Sequence, residues 1–334
     1  LFKFFVNSGS EAIDTALKIA MAYHRARGDG QRTRFVSRER AYHGVNIGGI
    51  SLSGMVKNRE TFTSVMPNIV CMRHTWNAEE TFTRGQPENG AELANDLQRF
   101  CETYGGSTIS AVFVEPIAGS TGTLVPPKGY LERLRAICDE HGILLVFDEV
   151  ITGFGRTGKA FGSDSFGVVP DIMTIAKALT NGAIPMGGVV VQDDIYKTVT
   201  EAAPENAIEF FHGYTYSGHP AACAAGIAVQ KIYQEEQLFD KAAKLSEYFL
   251  DGLFDLQDID NVRDIRGFGL MGGVELHAKG NPGVRGTQAQ KSLFHNGMHA
   301  KFTGDTVIMA PPFISEKAHI DEMFDKLRQT LEKA

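Results

Sequence analysis

The sequence predicts an α/β fold in which a large domain with a mainly parallel sheet precedes a small α+β domain. Short apolar runs alternate with segments of helical periodicity through most of the chain, which is typical of βαβ units. Near the C-terminus the pattern changes to a helix, a group of strands and a closing helix. The 334 residues are enough for two such domains. We predict that they span residues 1–222 and 223–334.

Each strand of the large domain is predicted from a short apolar run between turn residues. Six such runs lie at residues 33–37, 69–73, 110–114, 143–147, 172–175 and 188–191. A further run opens the chain at residues 1–6, and we expect it to form a core strand. Helical periodicity separates the strands, for example at Ile13, Leu17 and Ala20. Later segments are predicted in the same way: helices at 220–234, 238–253 and 316–332, and strands within 262–276.

The composition excludes several functional classes. Hydrophobic residues make up 43% and charged residues 22% of the chain, as in ordinary globular proteins. No apolar run approaches the ~18 residues of a membrane span, so we expect no contact with a membrane. The formal net charge of −7 gives no electrostatic basis for binding nucleic acid.

The cysteines of the chain are widely separated. Their spacing matches neither a zinc site nor a disulfide framework, and we predict no bound metal. We expect reduced, mostly buried thiols in a cytoplasmic protein. These cysteines are Cys71, Cys101, Cys138 and Cys223.

The residues after the first predicted strand begin a helix. Ser8 and Glu11 have the spacing of a capping box ahead of an amphipathic segment. A helix N-terminus also offers unpaired amides and a positive dipole end, and Gly9 lets an anion approach the backbone closely. These residues alone are consistent with a plain helix start and with a phosphate site.

Two charged residues follow apolar runs of the predicted sheet. Asp148 comes directly after the run at 143–147, and Lys177 comes just after the run at 172–175. In open α/β sheets, ligands bind at the carboxyl ends of the strands. A lysine among apolar residues loses charge by desolvation and becomes a nucleophile. A solvated carboxylate and a surface lysine are equally consistent with these positions alone.

Two loops carry aromatic and polar side chains. Tyr42 and His43 precede a glycine. A planar ligand stacked on the Tyr42 ring would explain this pair, and core packing with a satisfied hydrogen bond explains it equally well. The loop at 211–220 is rich in aromatic residues and glycine, and its Thr215 offers a hydroxyl to a phosphate. Because ordering so many polar groups costs entropy, binding a ligand is the better explanation of this loop.

Six segments together resemble the class III aminotransferases of the fold-type I pyridoxal-phosphate superfamily, most closely the ω-amino acid:pyruvate group. The segments are FFVNSGSEA at 4–12, YHG at 42–44, VEPIAG at 114–119, FDEVITGFGR at 147–156, AKAL at 176–179 and TYSGHP at 215–220. They occur in the family's order and cover nearly the whole chain, so they are specific together although each is short. The resemblance implies the fold-type I architecture and pyridoxal 5'-phosphate as the cofactor.

The resemblance implies that Lys177 and Asp148 are the catalytic residues. Lys177 is expected to form the internal Schiff base, and then to carry a proton between the substrate carbon and the cofactor. Asp148 is expected to pair with the pyridinium nitrogen, which makes the ring an electron sink. In the implied reaction, an ω-amino acid or a primary amine leaves its nitrogen on the cofactor, and a keto acid such as pyruvate takes it up.

The remaining cofactor contacts are implied in the same way. Gly9 and Ser10 are expected to hold the phosphate, while Tyr42 and Val150 pack on opposite faces of the pyridine ring. Glu115 is expected to orient the neighbours of the ring.

The resemblance also implies an assembly. Thr215 is expected to reach the phosphate of the partner subunit, which makes the active unit a homodimer with shared active sites. Whether the dimers pair into tetramers stays open. Arg156, which follows the acidic strand end, is expected to be structural.

The sequence departs from the family pattern in two places. The chain has no initiator methionine and enters a strand at once, and we expect that an N-terminal part of the family-length chain is missing from it. Lys301 stands where many relatives have an arginine that binds the substrate carboxylate. Because lysine lacks the two-pronged contact of arginine, a surface lysine is the alternative to a substrate-binding one.

Other functions are weighed against the aminotransferase. An aminomutase, racemase or decarboxylase with the same cofactor would share the lysine, the aspartate and the phosphate site. A binding protein without turnover would have no need of Lys177 and Asp148. A nicotinamide-dependent dehydrogenase is disfavoured because no glycine-rich dinucleotide motif follows the first strand.

Overall fold

The computed structural model describes residues 1–63 and 65–334. Within them, a seven-stranded sheet and a four-stranded sheet carry the helices. The strands are β1 (Phe2–Val6), β2 (Arg34–Arg38), β3 (Ile69–Met72), β4 (Ile109–Val114), β5 (Leu144–Asp148), β6 (Ile172–Ile175), β7 (Gly187–Val191), β8 (Val262–Phe268), β9 (Met271–Leu276), β10 (Lys301–Thr303) and β11 (Thr306–Met309). The helices are α1 (Gly9–Ala26), α2 (Ile47–Leu52), α3 (Val56–Phe62), α4 (Asn95–Tyr104), α5 (Tyr130–His141), α6 (Gly162–Phe166), α7 (Asp193–Glu201), α8 (Pro220–Glu235), α9 (Leu238–Phe254), α10 (Val284–His295) and α11 (Lys317–Leu331).

The seven-stranded sheet has the order β1-β7-β6-β5-β4-β2-β3. Strands β2 to β6 pair in parallel, and β7 pairs antiparallel with both β6 and β1. This confirms the predicted fold class. The six predicted strands after the first are all present, with ends that differ by at most one residue. Helices cover both faces of a parallel sheet, which explains why its strands are continuous apolar runs.

β1 lies at the edge of the large sheet, so the expectation of a core strand was wrong for most of its length. It pairs with β7 along one side. Phe2 and Lys3 at its start are exposed, and only Val6 at its end is buried. An apolar run does not show how many neighbours a strand has, and a strand with one neighbour is less protected from solvent.

The two faces of the large sheet have separate cores. On one face, α1 buries Ile13 and Leu17 of the predicted apolar stripe against the sheet. On the other, α5 buries Leu134 and Cys138. With both faces covered, the carboxyl ends of the strands are the part of the sheet that is left for binding.

The small sheet is antiparallel and has the order β10-β11-β9-β8. Helices α9, α10 and α11 pack on it around a core of its own, which includes Phe249, Leu293 and Leu327. This confirms the predicted small α+β unit. The predicted domain boundary between residues 222 and 223 falls inside α8 and stays a prediction.

A buried ionic network joins the two sheets. Asp264 of β8 accepts hydrogen bonds from the indole nitrogen of Trp76 (2.8 Å) and from the backbone N–H of Phe82 (2.7 Å). The Arg266 guanidinium pairs with Asp264 and donates through Nε to the carbonyl of Gly122 at 3.0 Å. The network therefore ties two loops of the large domain to one strand of the small sheet.

The cysteines are free thiols, of which Cys101 and Cys138 are buried. Burial raises the pKa of Cys101 to about 11 and that of Cys138 further still. Over the described ranges, no helix combines the length and the apolar character that crossing a bilayer requires.

Candidate active site

A pocket of about 160 Å³ opens at the carboxyl ends of β5 and β6. Its lining includes every residue predicted to contact the cofactor except Thr215, namely Gly9, Ser10, Tyr42, Glu115, Asp148, Val150 and Lys177. The parallel pairing of β4, β5 and β6 brings their carboxyl ends to one edge, where a ligand is expected.

The start of α1 forms one wall of this pocket. The Ser8 hydroxyl accepts the backbone N–H of Glu11 at 3.2 Å, which is the predicted cap. The Glu11 carboxylate accepts the backbone N–H of Asn7 at 2.7 Å, one residue before the cap. The first amides of the helix and the positive end of its dipole therefore lie at this wall, where an anion is stabilised.

Gly44 permits a close approach of two segments at this wall. Its φ is +97°, and a Cβ atom there would fall 2.5 Å from Ser10 Oγ. Ser10 Oγ accepts the backbone N–H of Val45 at 3.1 Å, which joins the loop to the helix. Only glycine combines this backbone conformation with this contact.

Hydrogen bonds hold the Asp148 carboxylate through both of its oxygens. Oδ1 accepts the backbone N–H of Val150 and the hydroxyl of Thr174, each at 3.2 Å. Oδ2 lies 2.8 Å from His43 Nδ1. Because Asp148 is only 6% exposed, these bonds fix its orientation at the pocket wall.

His43 is a residue of the site whose partner the sequence does not reveal. Its ring is buried, and within the described part of the chain its Nε2 has no hydrogen-bond partner. A proton on Nδ1 lets it donate to Asp148. Because 105 positions separate the two residues, the sequence alone does not identify Asp148 as the hydrogen-bond partner of His43.

Glu115 connects two loops of the pocket. Its Oε1 accepts the backbone N–H of Tyr42 at 3.0 Å, and its Oε2 accepts that of Gly119 at 3.1 Å. Burial raises the pKa of Glu115, and the neighbouring charges of His43 and Asp148 act on it in opposite directions. These bonds are consistent with a role of Glu115 in orienting its neighbours, and that role stays a prediction.

Lys177 follows β6 with a φ of +42°, which is unusual for a residue with a side chain. Its side chain is accessible from the pocket, yet desolvation by the surrounding protein lowers the pKa of its ammonium. The charges of Asp148 and Glu115 raise this pKa, and the charge of Lys301 lowers it. The net lowering favours the neutral amine, which is the nucleophilic form.

A second cavity, of about 580 Å³, adjoins the pocket and shares Val150, Ile151 and Lys177 with it. Lys301 begins β10 and lines this cavity, and its Nζ lies 6.0 Å from the centre of the Tyr42 ring. Lys301 is thus in the same region as Lys177, while its contact with a substrate stays a prediction.

Thr215 lies in the loop between α7 and α8, and it does not line the pocket of its own chain. It is exposed, as are Phe211 (91%) and Tyr216 (66%) of the same loop. The expected contact of Thr215 with a partner's phosphate stays a prediction.

The sequence matches proteins of one family along nearly its whole length. The family model for aminotransferase class-III matches residues 3–331. An omega-aminotransferase of Caulobacter vibrioides is 52% identical over 330 residues, which cover 98% of this chain and 75% of that protein. An omega-amino acid–pyruvate aminotransferase of Pseudomonas putida is 48% identical over 333 residues, which cover 99% of this chain and 74% of that protein.

The fold matches solved structures of the same kind. A crystal structure of the omega transaminase from Pseudomonas jessenii in complex with PMP aligns with a TM-score of 0.94 at 32% sequence identity. The alignment covers 100% of this chain and 75% of that one. Sequence and fold therefore agree with the resemblance carried by the six segments, and the chain belongs to the class III aminotransferases, a family of pyridoxal-phosphate-dependent transaminases.

Proposed function

We propose that this protein transfers an amino group from an ω-amino acid or a primary amine to a keto acid such as pyruvate, with pyridoxal 5'-phosphate carried on Lys177. The observation that carries the proposal is one pocket lined by Lys177, Asp148 and the start of α1. The names of the two relatives, omega-aminotransferase and omega-amino acid–pyruvate aminotransferase, support the same substrates.

The residues of the pocket fit this cofactor. Its phosphate is assigned to the first amides of α1 at Gly9 and Ser10, where a helix stabilises an anion. Asp148 is assigned to the protonated ring nitrogen, because a buried carboxylate is stabilised by a cation. Tyr42 and Val150 supply flat and apolar surfaces for the two faces of the ring.

When it is bound, pyridoxal phosphate supplies an aldehyde that accepts the amino group and a ring that withdraws electrons. Lys177 Nζ would hold the cofactor until a donor amine takes its place. The freed amine, whose pKa is lowered by desolvation, would then take a proton from the substrate carbon. Asp148, held by His43 and Val150, would stabilise the proton on the ring nitrogen. The same Nζ would return a proton to carbon when the keto acid takes up the nitrogen.

Lys301 is assigned to the carboxylate of the substrate. Its side chain lines the cavity that Lys177 also lines. An ammonium is a point charge, so it attracts a carboxylate without forking onto both oxygens. Binding through Lys301 is therefore expected to be looser and more sensitive to salt than binding through arginine.

The formation of alanine from pyruvate tests the reaction. The protein loaded with cofactor is incubated with β-alanine, with other ω-amino acids and with aralkyl amines, each in the presence and absence of pyruvate. We expect alanine only when both amine and pyruvate are present. Conversion of an amino compound without any keto acid would instead identify an aminomutase, racemase or decarboxylase.

Chemical reduction tests the attachment of the cofactor. Borohydride fixes the bond between a lysine and the cofactor, and peptide mass mapping then identifies the modified residue. We expect the label on Lys177 alone. A label on another lysine with Lys177 unmodified would refute this assignment.

We further propose a homodimer in which Thr215 reaches the phosphate site of the other subunit. Support comes from the exposed aromatic side chains of Phe211 and Tyr216 beside it, since such apolar surface marks an interface. Thr215→Ala should weaken both cofactor binding and the dimer, as measured by titration and sedimentation. Unchanged values for both would contradict the proposal. The cytoplasmic location stays a prediction from cysteine usage.

A further inference from the structure

The cavity beside the cofactor pocket is larger than a small keto acid requires. It measures about 580 Å³ and lies between the end of β6 and the strands β10 and β11 of the small sheet. Cavities of roughly 300–1,000 Å³ hold ligands of drug size. Since Lys177 lines both spaces, a substrate whose amine reacts there has room for a longer chain.

The walls of this cavity are largely apolar and carry positive charges. Four methionines line it, which are Met271, Met298, Met309 and Met323. Methionine is flexible and packs against ligands of different shapes. Over the described ranges, neither aspartate nor glutamate lines the cavity, whereas Arg156 and Lys301 do. Such a cavity suits a chain that is apolar along its length and negatively charged at its end.

No aspartate or glutamate in the described part of the chain pairs with the charge of Arg156. Its Nη1 donates to the carbonyls of Leu270 (3.2 Å) and Pro311 (2.7 Å), and its guanidinium lies 4.5 Å from the centre of the Phe313 ring. Among the residues that the structure describes, Nε and Nη2 of Arg156 make no hydrogen bond. Burial lowers the pKa of Arg156 to about 10. Because a desolvated cation is ordinarily paired, the free donors of Arg156 suit an anionic ligand.

Arg156 and Lys301 have different neighbours at the cavity wall. Lys301 Nζ lies 6.0 Å from the centre of the Tyr42 ring, and Tyr42 lines the cofactor pocket. The Arg156 guanidinium instead lies against the Phe313 ring and the carbonyl of Pro311, neither of which lines that pocket. Lys301 is therefore the cation beside the cofactor pocket, and Arg156 is the cation beside Phe313.

We infer that Arg156 binds the terminal carboxylate of ω-amino acids with chains longer than that of β-alanine, while the methionine-lined cavity holds the chain. The inference rests on the proposed function, because it places the amino end of the substrate at Lys177. Lys301 then serves short substrates and Arg156 long ones. The structural contacts of Arg156 with Leu270 and Pro311 use one nitrogen and leave the others for this ligand.

Two donors of equal length separate the effect of the carboxylate from that of the chain. With pyruvate as acceptor, kcat/KM for 6-aminohexanoate should exceed that for hexylamine by roughly ten- to hundred-fold, the range of a hydrogen bond to a charged group. In Arg156→Leu this preference should be lost, and in Arg156→Lys much of it should remain because the charge is kept. Arg25→Leu is the matched control, because it removes an arginine from the exposed side of α1. This variant should prefer 6-aminohexanoate over hexylamine as strongly as the wild type does. An undiminished preference in Arg156→Leu overturns the inference.

Binding of hexanoate tests the cavity without turnover, because hexanoate has no amine. Calorimetric titration of the cofactor-loaded protein should give a dissociation constant roughly tenfold higher in Arg156→Leu than in wild type. If no amine is transaminated but hexanoate binding still depends on Arg156, the proposed function fails and the assignment of the cavity stands. If β-alanine is transaminated and hexanoate binds equally to both proteins, the assignment of the cavity alone fails.

A second variant leaves Arg156 and its two carbonyl contacts in place, in case Arg156→Leu does not fold. Met298 is partly exposed at the cavity wall, so Met298→Trp narrows the space. The ratio of kcat/KM for 6-aminohexanoate to that for β-alanine should fall severalfold. An unchanged ratio would show that long chains do not enter this cavity.

Discussion

Different forces act on the two catalytic candidates. Asp148 is held in place by hydrogen bonds with His43, Val150 and Thr174. The largest influence on Lys177 is desolvation, which lowers the pKa of its ammonium. One pocket therefore offers an oriented carboxylate and a lysine whose ammonium is easier to deprotonate, two groups suited to a proton transfer at carbon.

Replacing Asp148 with asparagine tests the anion. The neutral amide of Asp148→Asn cannot keep the ring nitrogen protonated, so the cofactor should stay bound while turnover falls by roughly a hundredfold or more. Proton abstraction is measured by the primary isotope effect on a donor deuterated at the reacting carbon. Asp260→Asn, at an exposed position, is the control that should behave as wild type. Turnover by Asp148→Asn at the wild-type rate would remove Asp148 from the mechanism.

Replacing Lys301 with alanine tests the charge next to the base. The ammonium of Lys301 lowers the pKa of Lys177, so Lys301→Ala should raise that pKa. A lysine reacts when it is neutral, above its pKa, and the reaction of the cofactor-free protein with pyridoxal phosphate should therefore begin at a higher pH. The apparent KM for pyruvate should also rise, by roughly tenfold, because a charged hydrogen-bond partner is lost.

Lys301→Arg separates the charge from the shape of this side chain. It keeps the positive charge, so the pH dependence of the reaction at Lys177 should stay close to that of wild type, and pyruvate binding should hold or improve. If Lys301→Ala leaves both the pH dependence and the KM unchanged, Lys301 is a solvated surface residue.

At the scale of elements, the site is made where the start of a helix meets the ends of strands. Loop residues at Gly44 touch the first turn of α1, and β5 and β6 end opposite that turn. The close approach depends on a residue without a side chain. A glycine at this position therefore sets the shape of the pocket at the start of α1.

Gly44→Ala should lower both stability and cofactor affinity. Gly28→Ala is the matched control, because Gly28 has a similar φ of +83° but open space where the Cβ would lie. Both variants carry the backbone strain of about 1–2 kcal/mol, and Gly44→Ala adds roughly 1–3 kcal/mol for the contact with Ser10. Denaturant unfolding and cofactor titration measure the two effects. Equal losses in both variants would show that the close contact with Ser10 has no effect.

The sequence predicts most elements because their periodicity is a local property. Buried parallel strands such as β5 and β6 are continuous apolar runs, and their ends fall where Asp148 and Lys177 follow. The position of β1 at the sheet edge and the bond between His43 and Asp148 are set by contacts between distant parts of the chain. Periodicity carries no information about such contacts, so neither is predictable from one sequence.

At the scale of the whole molecule, Asp264 is the central residue of the connection between the two sheets. It is 1% exposed and bonded to Trp76, Phe82 and Arg266. The cavity with Lys177 and Lys301 also lies between the two parts. Any movement of the small sheet therefore changes the position of Lys301 relative to Lys177.

Asp264→Ala should destabilise the protein by about 1–3 kcal/mol for each of the two N–H donors, from Trp76 and Phe82, that lose their acceptor, while Arg266 keeps its ion pair with Glu275. Asp258→Ala removes the acid of an exposed ion pair with Arg328 and should change stability little. Denaturant unfolding compares the two variants. A small loss in Asp264→Ala would mean that the network contributes no more than a surface pair.

Trp76, whose indole nitrogen donates to Asp264, is the one tryptophan of the chain. Arg40 and Arg263 lie 5.6 Å and 4.9 Å from its ring, so its surroundings belong to both parts of the molecule. The intrinsic fluorescence of the protein therefore comes chiefly from a single position at the junction of the two sheets. Its emission wavelength reports, without any added label, whether that junction is closed or open to water while substrates bind.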